Sequence, residues 1–160
     1  MNLYQDYILA DNTRVIGTKS IADSVTGLFI GTKKYFFFIP VKAVEVEFYG
    51  TRQKQTRTAY FFKGKPVNEY LKSFVQTRGL SVQEFERFML EELRNEIEEM
   101  RVIAIEELGQ FKVFAKWWSS GIVTNESEKR RVGWKRFVTS FKENKKEVCA
   151  FYQGEPKMVG

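Results

Sequence analysis

Lys65-Pro66-Val67-Asn68-Glu69-Tyr70-Leu71 opens the stretch that decides the fold, because apolar Val67, Tyr70, Leu71, Phe74 and Val75 recur there on one helical face. Proline suits a first turn, where its missing N–H has no helical partner to lose, and Gly79 supplies a stop. The spacing predicts a helix over about 66–78. Ser81-Val82-Gln83-Glu84 then has the form of a capping box, in which Ser81 and Glu84 each satisfy a backbone N–H of the other. Phe85, Phe88, Met89, Leu93, Ile97 and Met100 make the stripe that follows, with the glutamates mostly opposite. A second helix is expected over about 82–101.

Both flanks of this pair read as strands. Before it, Gly27–Ile30 and Lys34–Ile39 are short apolar runs, Val44, Val46 and Phe48 alternate with Glu45, Glu47 and Tyr49, and Thr56–Phe62 continues the pattern. After it come Val102–Ile105, Phe111–Trp118, Val132–Phe141 and Glu147–Tyr152. No linker or repeat divides the chain, so residues 1–160 are expected to form a single α+β domain. Its core is a mainly antiparallel sheet of about eight short strands. Two consecutive amphipathic helices sit in mid-chain, the second covering one sheet face.

The composition supports an aromatic-rich core: of 160 residues, 43% are hydrophobic and 16% aromatic. With His 0 and Cys 1, no Ser-His-Asp triad, Cys-His pair, ordinary zinc site or intrachain disulfide can form. Cys149, in Val148-Cys149-Ala150-Phe151, reads as a small buried apolar residue. The first seven residues lack the pattern of a secretory signal, and no apolar run approaches the ~20 residues of a spanning helix. A cytoplasmic location is expected.

The formal charge of +6 is unevenly spread. Residues 51–80 and 109–150 each carry a net +6, 81–108 carry −6, and both ends are neutral. A surface polarised in this way attracts polyanions. Phosphate-loop chemistry is not available at Gly17-Thr18-Lys19-Ser20, which lacks the glycines that wrap a phosphate. Asp6, Asp11 and Asp23 all precede the main strands, and Glu45 and Glu47 fit the solvent side of a strand better than a metal cluster. Glu106-Glu107 near Lys112 leaves a metal-dependent nuclease as a minor alternative. The expectation is therefore a non-enzymatic protein with no cofactor and no metal. Glu91, Glu92, Glu96, Glu98 and Glu99 support the second helix and offer an acidic face to a basic partner.

The main functional signal is the interleaving of cations and rings in Phe111-Lys112-Val113-Phe114-Ala115-Lys116-Trp117-Trp118 and in Lys129-Arg130-Arg131-Val132-Gly133-Trp134-Lys135-Arg136-Phe137. If 111–118 is a strand, Lys112, Phe114, Lys116 and Trp118 share one face and Phe111, Val113, Ala115 and Trp117 the other. Such a face holds phosphates and stacks bases, which points to RNA or single-stranded DNA. Lys112, Lys116, Lys129, Arg130, Arg131, Lys135 and Arg136 are the expected anion contacts, with Trp118 and Trp134 as stacking platforms. The competing reading packs Phe114 and Trp118 beneath a helix. A protein-interaction or inhibitor module acting on a protein or nucleoprotein complex is the second functional class, and exposed rings also suit a homo-oligomer interface.

Gly27-Leu28-Phe29-Ile30-Gly31-Thr32-Lys33-Lys34-Tyr35-Phe36, followed by Ile39-Pro40-Val41, resembles the strand pair of GRAM and bacterial pleckstrin-homology-like domains. The resemblance implies an anionic-membrane-surface binder. It covers about an eighth of the chain, and those domains end in a single helix, whereas this sequence places two in mid-chain.

Overall fold

The computed structural model describes residues 1–16, 25–40, 43–48, 51–56, 60–125 and 135–160, with backbone alone for 43–48 and 51–56. In chain order, β1 (Ile8–Ile16), β2 (Val25–Gly31) and β3 (Tyr35–Pro40) are followed by two small hairpins, β4 (Ala43–Phe48) with β5 (Thr51–Thr56) and β6 (Phe61–Phe62) with β7 (Lys65–Pro66). Helix α1 (Val67–Thr77) comes next. Helix α2 (Val82–Arg87) runs through a π-helical stretch, Phe88–Leu93, into α3 (Arg94–Glu96). Strands β8 (Arg101–Ala104), β9 (Gln110–Ala115), β10 (Ser120–Asn125) and β11 (Lys135–Thr139) lead to the C-terminal helix α4 (Lys145–Tyr152). Seven strands form one antiparallel sheet, curled into a half-barrel, in the order β8-β3-β2-β1-β11-β10-β9. The α+β architecture read from the sequence is the one observed.

Three expectations about the elements change. The second helix stops at Glu96, because Ile97 takes extended dihedrals (φ −122°, ψ 92°) and Arg101 is already paired with Phe38 of β3. Ile97 and Met100 stay buried beside the helix, so the apolar stripe continues after the helix has ended. Glu147–Tyr152 is helix rather than strand: Val148, Phe151 and Tyr152 are its buried positions, spaced three and four apart. Finally, β1, β5, β7 and β10 are strands that the sequence reading left out, and of the expected strand Thr56–Phe62, Thr56 ends β5, Phe61–Phe62 is β6, and residues 57–59 lie outside the described residues. β1 carries a register shift between Ala10 and Thr13, where Asp11 and Asn12 break the alternation.

Strands β2 and β3 are buried on both sides, which explains their near-continuous apolar runs. Leu28, Ile30, Phe37 and Ile39 pack against Leu71 of α1 and Phe85, Met89 and Leu93 of the second helix. On the other side, Phe29, Phe36 and Phe38 meet Phe111, Phe137 and α4. Tyr152 is fully buried there, and Gly31 makes room for it: a Cβ on that glycine would lie 2.3 Å from the Tyr152 oxygen. One α-helix, α4, follows the last strand. The mid-chain helices lie between the third and fourth strands of the main sheet.

Candidate functional site

Strand register builds the candidate face residue by residue. Lys112 of β9 lies opposite Val123 of β10, which lies opposite Arg136 of β11, itself opposite Ile16 of β1. The neighbouring row is Phe114, Gly121, Val138 and Arg14. Alternation puts all eight on one side of the sheet, and neither row contains a carboxylate. Lys112, Arg136 and Arg14 are exposed, and Phe114 is half-buried.

Local chemistry ties these residues together. Gly121 is required because a Cβ there would fall 1.6 Å from the Phe137 carbonyl oxygen. The Arg136 guanidinium lies 5.6 Å from the centre of the Phe114 ring. Phe114 is therefore covered by a cation rather than by a helix.

The expected alternation holds from Phe111 to Ala115 and then ends. Phe111 is fully buried and Val113 packs on the same core, as a shared inner face requires. At Lys116 the chain turns, its N–H donating to the Ser119 carbonyl (2.6 Å) and its carbonyl accepting from the Ser119 N–H (3.3 Å). Trp117 and Trp118 occupy the middle of this turn, so they do not point to opposite sheet faces. Both project into solvent, 78% and 63% exposed, with ring centres 5.1 Å apart and planes at 87°. Lys116 Nζ sits 5.4 Å from the Trp118 ring, and Lys142 Nζ donates to the Trp117 carbonyl at 2.5 Å.

Of the sequence-predicted site residues, Lys112, Lys116, Trp118 and Arg136 thus come together along one face and its turn. Lys135 does not: it lies opposite Thr124, on the Phe137 side of the sheet, because alternation separates it from Arg136. Lys129, Arg130, Arg131 and Trp134 lie outside the described residues, as do Gly17–Ser20 and the side chains of Glu45 and Glu47. Sequence reasoning missed Arg14, which belongs to the overlooked strand β1, and Lys142, which only the fold brings to the Trp117 turn.

No group of three or more acidic or cysteine side chains is placed to hold a metal ion among the described residues. One carboxylate is nearly withdrawn from solvent: Glu86 of α2, 6% exposed, accepts from Thr32 Oγ1 at 3.4 Å in the β2–β3 turn. Burial raises its pKa, against the opposing pull of Lys34 and the Thr32 hydroxyl. The Thr32 carbonyl accepts from the Tyr152 hydroxyl at 3.2 Å, so this carboxylate belongs to a structural link between α2, the turn and α4. No described helix is long and apolar enough to cross a membrane. No known family model and no curated protein matches the chain.

Proposed function

We propose that the protein binds single-stranded nucleic acid, RNA or DNA, through the outer face of β9, β10, β11 and β1 and the Trp117–Trp118 turn. The observation that carries the reading is the pairing of cations with rings along this face: Arg136 over Phe114 and Lys116 beside Trp118, with Lys112 and Arg14 exposed in the same two rows. From Lys112 to Lys116 the cations are spread along a strand, which suits an extended polymer better than a small anion. Arg14, Arg136, Lys112 and Lys116 take phosphates, while Trp118 offers an exposed ring to a base.

Anisotropy of labelled oligo-U and oligo-dT over a salt series tests this directly. The logarithm of the binding constant is expected to fall linearly with the logarithm of salt, by about 0.7 per phosphate neutralised. Lys116→Glu with Arg136→Glu flattens that slope. Trp118→Ala weakens binding by about 1–3 kcal/mol and leaves the slope unchanged, because stacking carries no counterion release. Absence of binding at low salt, or binding by both variants with the native affinity and salt slope, refutes the reading. Two exposed tryptophans in a turn beside Lys116 and Lys142 also have the chemistry of an interfacial anchor. Cosedimentation with anionic vesicles, without oligonucleotide affinity, would establish that second reading instead.

A further inference from the structure

Past Phe111, the edge of β9 has no strand partner among the described residues, and its hydrogen-bonding direction follows from register. The Phe111 N–H donates to the Lys157 carbonyl and its carbonyl accepts from the Val159 N–H, both at 2.8 Å, in a parallel bridge with Met158. The backbone groups of Phe111 therefore face away from β10. By the period of two, so do those of Val113 and Ala115. The 157–159 segment pairs only at Phe111, leaving the N–H and C=O groups of Val113 and Ala115 without a strand partner among the described residues. Between this edge and α4 runs a groove of about 640 Å³, lined by Val113, Lys145, Lys146, Cys149, Gln153 and Met158 among others.

We infer that this groove receives an extended acidic-apolar peptide, which adds to the sheet as a strand beside Val113 and Ala115. Main-chain bonds to the open edge supply affinity, as in other strand-addition modes. Side chains opposite Val113 and Ala115 point to the Val113 side of the sheet, over Cys149 and Met158, and these positions take apolar residues. Lys145 and Lys146 set the charge of the remaining positions. Both are exposed, and neither forms an ion pair among the described residues. Glu155, the carboxylate in the groove lining, is already 3.9 Å from Lys33. The rim is thus left with two unmatched cations, and an occupant carrying carboxylates is complementary to it. The groove uses the edge and inner side of β9 and is independent of the nucleic-acid reading of its outer face.

The test uses an end-blocked, labelled peptide of alternating valine and glutamate, with a valine–lysine peptide as its counterpart, titrated against the whole chain. The valine–glutamate peptide is expected to bind and the valine–lysine peptide not to. Proline at position 113 removes an N–H that β10 does not use, so Val113→Pro weakens binding about tenfold or more while the β9–β10 ladder persists. Lys145→Glu with Lys146→Glu reverses the preference between the two peptides. A readout that survives misfolding of the proline variant is amide exchange on the native chain, where the peptide slows exchange at Val113 and Ala115. Equal binding of both peptides, unchanged exchange at these amides, or a concentration-dependent dimer that closes the edge without peptide would each overturn the inference.

Discussion

Glu86 shows how one side chain sets a pH dependence that composition does not reveal. Its carboxyl is buried between α2 and the β2–β3 turn, with the Thr32 hydroxyl as neutral partner and Lys34 as the nearby cation. Burial dominates, so the folded protein holds this proton more tightly than the unfolded chain does. For a raised carboxyl the linkage runs one way. The stabilisation is complete below the ordinary value of 4.5 and is lost as pH rises through the higher folded-state value. Glu86→Gln keeps the shape and an acceptor for Thr32 but removes the titration. The midpoint of the variant is expected to rise relative to the native protein as the pH is raised above 4.5, in thermal melts followed by circular dichroism. A difference that stays constant or shrinks toward neutral pH would mean that Lys34 compensates the charge.

At the scale of elements, the start of α2 is the best-specified local structure in the chain. The Glu84 N–H donates to Ser81 Oγ at 3.1 Å and the Ser81 N–H donates to Glu84 Oε2 at 3.0 Å, which completes the capping box. Ser81→Ala is expected to cost about 0.5–2 kcal/mol in urea denaturation with an unchanged slope. An effect below this range would indicate that packing of Phe85 and Met89 alone holds the helix start. The two mid-chain helices were legible for that reason: their signals are local. Strand β1 was not, because Asp11-Asn12-Thr13 interrupts its alternation at the register shift, and a polar triplet reads as a turn. In α4, Val148, Ala150 and Tyr152 also fit period two, and only the burial of Phe151 beside Tyr152 on the inner core separates helix from strand. The same limit applies to the candidate face. Alternation brought Lys112 and Phe114 together on paper, but nothing local announces that the chain turns at Lys116, that Arg136 lies against Phe114, or that Arg14 joins the row.

At the scale of the whole molecule, the seven-stranded sheet has a core on each side of β2 and β3, which bears on cooperativity. Leu28, Ile30, Phe37 and Ile39 belong to the core under α1 and α2, while Phe29, Phe36 and Phe38 on the same two strands belong to the core around Tyr152. Successive residues of one strand thus serve opposite sides, so neither core can open without exposing the back of the other. The segment between β3 and β8 carries α1 and α2 but has its partners on β2 and β3, and it is expected to fold with the sheet as a single domain. Leu71, fully buried on the helical side, and Ile122, fully buried on the other, are the probes for this. Leu71→Ala and Ile122→Ala should each lower one shared calorimetric transition, at a cost of about 2–5 kcal/mol. In each variant the van't Hoff enthalpy should match the calorimetric one. If Leu71→Ala instead split off a separate low-temperature transition and left the Ile122 side at its native midpoint, the mid-chain helices would be a unit of their own. The sheet would then have to stay folded with Leu28, Ile30, Phe37 and Ile39 exposed, which the loss of so much buried apolar area opposes.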